Sequence, residues 1–382
     1  MRYTIKGKEN MEERKIFNAS ITYMNCLWKK DMPQYIYQKG FTGTELSLEE
    51  IVEYEQWIKT VDDRTNIPSL EGIRVSEENW NEDILFEAVM KAEELGASYV
   101  LINTENVSSE RTITDALENC IDLFIDKEIK IYLENGYVVS KQNTYQCSEL
   151  SEINKLKKIV MQFNRICEKE CFGISINVGN ANLLAKNLRT MVEDAGDLLK
   201  LIHVSDNGGF HNDRQMPYTY TRGRGDRTTD WYRLIGSLRR NHYIGHIVFD
   251  VKGTFEKSPE YLHPSYISLL ASIAKEWDEV LRLEEYLNQS NKKIILFGAG
   301  GMAHCYMNVW GDRYTPAFLV DNNSSSWNTE RFGIKIKSPE AILEIPEEER
   351  NVFICNQYYM PIGAQLDNMG ISYKCYSDLY DI

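Results

Sequence analysis

The chain has 382 residues, 43% of them apolar and 26% charged, with a formal net charge of −14. That length predicts two or three domains with real cores rather than a disordered acidic tail. The acidity excludes a global role in binding nucleic acid, which needs clustered Lys and Arg against phosphates. The charged N-terminal stretch lacks the apolar core of a secretory signal, and no run approaches the roughly 20 apolar residues of a membrane span. Eight scattered cysteines require no disulfide framework, and Cys167 and Cys171 read as plain thiols. A cytoplasmic protein is expected.

From residue 16 to 270, short apolar runs alternate with longer amphipathic stretches. The runs are IFNASI, GTEL, GIRV, SYVLIN, KIYLEN, FGISIN, LIHVSD and HIVFDV. Between them lie segments of helical period such as LEEIVEYEQWIKTV, DILFEAVMKAEELG, TDALENCIDLFIDK and LSEINKLKKIVMQFNRICEKE. Gly96 and Gly173 are the expected helix exits. Eight strand–helix units over about 250 residues predict a (β/α)8 TIM barrel, with an open doubly wound sheet as runner-up. A polar connector follows, and at Lys292 a new strand enters a glycine-rich turn. The expected domains are residues 1–288 and 289–382, the second a small Rossmann-like α/β unit.

If those runs are barrel strands, their carboxyl ends carry Glu45, Asn103 and Glu105, Glu134, Asn177, His203 and Asp250. A polar residue at one strand end is often only a turn former or helix cap. So many on one rim are what an active site in this fold requires. Glu134 and Asp250 offer anionic oxygens, His203 a neutral nitrogen and Asn177 an amide oxygen. Such a set suits a divalent cation, Mn²⁺, Mg²⁺, Co²⁺ or Zn²⁺. The same two carboxylates, on opposite sides of a sugar, could move a proton next to a carbonyl. The metal would stabilise the enediolate.

EELGASYVLIN, IKIYLENGY, FGISINVGNANL, LIHVSDNGG, RGRGD and RNHYIGHIVFDVKG together resemble the sugar phosphate isomerase/epimerase superfamily, the xylose-isomerase-like TIM barrels. The likeness covers nearly all of residues 16–270. It implies one divalent metal held by Glu134, Asn177, His203 and Asp250, with Glu134 and Asp250 also the acid–base pair. Three positions depart from the pattern. Asn177 stands for an Asp, Asn180 for a frequent His, and Asp250 for a Glu longer by about 1.5 Å. Glu45 and Asn103 are expected to contact substrate.

The loop over residues 206–226 is long for this fold, and such loops are often functional. It carries His211, Asp213, Arg214, Arg222 and Arg224, and reads as a lid in which Arg222 or Arg224 meets a substrate phosphate or carboxylate. His211, His242 and His263 show no partner in the sequence.

In the second domain GAGGMA follows a strand directly, and Asp321 ends the next strand about 20 residues on, where a ribose-binding acid would stand. Gly298, Gly300, Gly301 and Asp321 are therefore the candidate cofactor contacts, with a nucleotide or nucleotide-sugar as ligand. The segment resembles the small Rossmann-like domains attached to bacterial polysaccharide and nucleotide-sugar enzymes.

The expected activity is a metal-dependent isomerase or epimerase of a sugar or sugar derivative, with a lyase working through the same enediolate inseparable from it. A non-catalytic carbohydrate or nucleotide-sugar binding protein with a degenerate barrel is the first alternative, and an NAD(P)-linked oxidoreductase the second. The expected partners are a small sugar and, in a homo-oligomer, further copies of the chain, with neither nucleic acid nor membrane. A multi-metal endonuclease does not fit six His and this acidity.

Overall fold

Eight parallel strands make the first sheet: β1 (Asn18–Ile21), β2 (Gly43–Ser47), β3 (Ser69–Val75), β4 (Tyr99–Ile102), β5 (Lys130–Glu134), β6 (Phe172–Asn177), β7 (Leu199–Val204) and β8 (His246–Phe249). They pair in sequence order, and β1 meets both β8 and β2, so the sheet closes into a barrel. This computed structural model describes residues 18–21, 32–61, 64–76, 81–220, 228–289 and 291–381. An α/β TIM barrel is the observed fold of the first region.

The reasons lie in the patterning. Strands β4 and β6 are buried at every residue, as parallel strands covered on both faces must be. Inside the barrel Tyr99, Leu101, Tyr132, Leu201 and Val248 pack together, with the Tyr99 and Tyr132 rings stacked at 5.0 Å. Gly72 leaves room for this: a Cβ there would lie 2.2 Å from the Tyr99 ring. The helix Glu82–Leu95 starts where the Asn81 side chain accepts from the Ile84 N–H, and Gly96 ends it at φ 75°. Both are ordinary start and stop signals.

The helix Ile153–Cys167 corrects one expectation. It stops at Glu168, which takes the left-handed conformation at φ 53°. Gly173 instead lies within β6, where a Cβ would press to 2.5 Å from Lys200. Its glycine serves a close approach inside the sheet, not a helix exit. Cys167 and Cys171 are buried free thiols.

The chain divides into two compact units, 1–229 with 241–275, and 230–240 with 276–382. The helix Trp231–Arg240 belongs to the second for packing reasons that no local pattern reveals. A Cβ on Gly236 would lie 2.1 Å from the Tyr380 carbonyl oxygen, and buried Arg239 forms an ion pair with Asp381. The second unit holds a six-stranded sheet of β9 (Lys293–Phe297), β10 (Phe318–Val320), β11 (Glu330–Arg331), β12 (Ile334–Lys337), β13 (Arg350–Ile354) and β14 (Lys374–Cys375). Their spatial order is β11-β12-β10-β9-β13-β14, parallel except between β11 and β12. Alternation along β9 sends Ile294 and Leu296 into one core and Ile295 and Phe297 into another, so both faces are covered. Among the described residues no helix is long and apolar enough to cross a membrane.

Candidate active site at the barrel mouth

A parallel barrel brings every strand's carboxyl end to one rim. There β5 ends in Glu134, β6 in Asn177, and Asp250 follows β8 directly, while His203 lies one residue short of the end of β7. Glu45 and Arg74 come from the last residues but two and but one of β2 and β3.

Three of these groups form one tight cluster. The His203 ring is fully buried between two carboxylates, its Nε2 3.0 Å from Glu45 and its Nδ1 2.6 Å from Glu134. The Nδ1 approach is a charge contact rather than an aligned hydrogen bond. Glu45 also accepts from the Tyr99 hydroxyl at 2.8 Å. Glu134 accepts from Ser175 Oγ at 3.1 Å and from the Asn177 amide at 3.3 Å. Burial opposes a charge on His203, but the carboxylates of Glu134 and Glu45 prevail and push its pKa up to about 10. Burial likewise opposes the Glu134 carboxylate, and His203, Arg74 and Asn177 hold its pKa below the ordinary value. Glu134 is therefore ionised at neutral pH.

Asp250 stands in different company. Its Oδ2 lies 3.3 Å from Arg74 and 3.4 Å from Arg214. Arg74 is the charged residue at this rim that sequence reasoning missed. The signal was available: Arg74 is a lone cation in the apolar run GIRV. Despite burial, Asp250, Glu45 and Glu134 all favour its charge and raise its pKa. Arg214 is held charged chiefly by Asp250. It reaches Glu105 at 3.8 Å, and Glu105 also accepts from Tyr137 Oη and the Asn180 amide.

The remaining expected residues are placed as follows. Asn103 is buried, and its Oδ1 accepts from the Glu105 N–H in a local turn. Arg222 and Arg224 lie outside the described residues. His263 bonds the Phe255 carbonyl.

The donor set that the resemblance implies does not fit a divalent cation as arranged. Asn177 turns its oxygen toward the Asn180 N–H of its own helix and its amide nitrogen toward Glu134. Asp250 is committed to two guanidinium groups, and His203 lies between two carboxylates. Among the described residues no group of three or more His, Cys, Asp or Glu is placed to hold a metal ion. What the site can do with its own residues is bind oxygen ligands at Arg74 and Arg214 and accept a proton at Glu134.

The described part of the loop after β7, residues 206–220, reaches this site through Arg214 and is pinned at its root. The Asp206 carboxylate accepts from the N–H of Asn207 at 3.0 Å and of Tyr220 at 3.2 Å, and from Thr229 Oγ1 at 3.2 Å. Further along, the Asp213 carbonyl settles against Gly253, where a Cβ would lie 1.8 Å from that oxygen. Burial pushes the Asp206 carboxyl up to about 6, despite those hydrogen bonds. Between about pH 4 and 6 the folded protein therefore holds a proton that the unfolded chain has released. This contribution to stability is full below the unfolded pKa and lost as pH rises through the folded one. Asp206→Asn cannot ionise, so wild type should lose stability relative to the variant across that window and not beyond it. Urea unfolding at several pH values measures this, and parallel pH profiles would sink the assignment.

In the second unit Gly298 has φ 120°, and a Cβ on it would lie 2.4 Å from the Cys355 carbonyl, whereas Gly300 and Gly301 face open space. The Asp321 carboxylate accepts from the Ala299 N–H at 3.2 Å and from the Asn323 N–H at 2.8 Å. The four candidate residues thus meet at one turn, with Asp321 bracing it.

No protein-family model and no curated protein matches the sequence. Solved structures do. A 3-keto-D-glucoside 4-epimerase from E. coli is 15% identical with a TM-score of 0.46, the match covering 68% of this chain and 100% of that one. A D-psicose 3-epimerase from Clostridium cellulolyticum H10, solved with D-tagatose, is 12% identical with a TM-score of 0.47, covering 69% and 99%. A sugar phosphate isomerase/epimerase from Parabacteroides distasonis is 11% identical with a TM-score of 0.43, covering 73% and 96%.

Proposed function

We propose that the barrel is an isomerase or epimerase of a sugar or sugar derivative, working by proton transfer through an enediolate. The observation that carries this reading is the cluster of ionisable groups at one rim: buried Glu45, Glu134 and Asp250 faced by Arg74 and His203. Burying so many charges is costly for a fold that needs only a core, and perturbed ionisable groups gather where chemistry is done.

Glu134, ionised and buried, takes the proton from the carbon beside the substrate carbonyl. The electron pair moves onto the carbonyl oxygen. Asp250 serves the opposite face: when a substrate oxygen draws Arg74 and Arg214 away, its carboxylate is freed to exchange a proton there. Return of the proton to the neighbouring carbon, with the hydroxyl proton passing from one enediolate oxygen to the other, gives an isomer, and return to the other face of the same carbon gives an epimer.

The experiment is incubation of the full chain with a panel of aldoses and ketoses in D₂O, read by mass spectrometry. Uptake of one deuterium next to the carbonyl supports the proposal. Sugars that bind without exchange would favour a carbohydrate-binding protein instead, a reading to which the Asn at 177 and the doubly paired Asp250 lend support.

The second unit fits a small Rossmann-like domain. Its parallel strands, numbered by chain order, lie 3-2-1-4-5, the doubly wound arrangement that places a ligand where strand order reverses. That point lies between β9 and β13, beside Gly298. A nucleotide or nucleotide-sugar at Gly298, Gly300, Gly301 and Asp321, in a domain spanning 289–382, accords with this order.

A further inference from the structure

We infer that Arg74 does in this barrel the work of a divalent cation, holding the two oxygens of the enediolate with its guanidinium fork. The inference rests on the isomerase reading above and names the group that meets the charge in it.

Three observations lead there. Arg74 reaches from β3 past β2 and β1 to Asp250, which follows β8, at 3.3 Å, so its charged end lies over the mouth. Glu45 and Glu134, on two further strands, also act electrostatically on it. Its side chain is only 13% exposed, so water does little to screen those charges. The cation that three rim carboxylates require is thus already built into the chain.

The charge count points the same way. Glu45 and Glu134 share the imidazolium of His203, and Asp250 shares Arg74 and Arg214. A dication entering here would have to displace Arg74 from Asp250 and sit beside its charge. Asn177, neutral where an acid would help such an ion, faces its own helix.

The chemistry suits the replacement. An enediolate presents two oxygens on adjacent carbons, and a planar guanidinium donates two parallel N–H bonds at matching spacing. Charge developing on the carbonyl oxygen as Glu134 removes the proton is met by a fixed donor in a water-poor site. No electron acceptor and no second reactant is needed, since proton and electron pair both stay within substrate and enzyme.

The test uses the full chain stripped with EDTA and read by the electron paramagnetic resonance of free Mn²⁺. Wild type is expected to leave millimolar Mn²⁺ free, and Arg74→Lys, which keeps the charge, to do the same. Arg74→Met uncovers the carboxylates and should bind Mn²⁺ at least about tenfold more tightly. Wild-type uptake of one Mn²⁺ per chain, or Arg74→Met binding no more tightly than wild type, overturns the inference. A thermal melt of each variant verifies folding, and should Arg74→Met not fold, the wild-type and Arg74→Lys titrations still decide. These arms need no turnover, so they stand apart from the D₂O experiment. Where exchange is seen, EDTA should leave its rate unchanged and Arg74→Met should abolish it; loss of exchange on chelation alone would overturn the role.

Discussion

Replacing His203 by alanine is expected to destabilise the barrel by roughly 3–5 kcal/mol, the cost of removing one partner from a buried ion pair. The ring is fully buried, 3.0 Å from Glu45 and 2.6 Å from Glu134. Without it, two carboxylates face each other in a space that water barely reaches, and one must take up a proton or the strands must part. Denaturant unfolding, with a probe in the barrel to separate it from the second unit, measures the loss. A drop below about 1 kcal/mol, the scale of an exposed pair, would show that the imidazolium is not the counter-ion described.

The second large effect falls on turnover. Glu134→Gln should lower solvent-deuterium exchange at the sugar carbon by about 10²- to 10⁴-fold, the usual worth of a positioned base. Gln keeps the shape, can still accept from Ser175 Oγ, and leaves Glu45 as counter-ion to His203. Sugar binding is expected to change far less than the rate. Exchange within a few-fold of wild type, in a variant that folds and binds, would remove Glu134 from the reaction.

Much of the fold was legible because a parallel barrel is a local code repeated: each apolar run ends at the same rim, so GTEL, KIYLEN, FGISIN, LIHVSD and HIVFDV bring the polar residues at or near their ends to one place. That logic found Glu45, Glu134, Asn177, His203 and Asp250. It passed over Arg74, which is not the end of a run but the residue before Val75 at the end of β3. A register shift between β2 and β3 at Thr44/Glu45 adds a displacement that no period of two predicts. Partner choice was equally hidden. Whether Asp250 faces a metal or two arginines depends on which long side chains cross the barrel, and Arg74 and Asp250 are 176 positions apart. Glu168 illustrates the same limit locally, since a non-glycine residue there adopts the conformation for which Gly173 was the obvious candidate.

The seat of the loop on Gly253 has a practical corollary. The carbonyl of Asp213 occupies the volume that any side chain at position 253 would claim. A single added methyl must therefore prise the loop upward, which makes 253 a dial for the width of the entrance. An engineer seeking to admit bulkier sugars would begin there, and would shift with the loop Arg214, which follows Asp213 and lies 3.4 Å from Asp250.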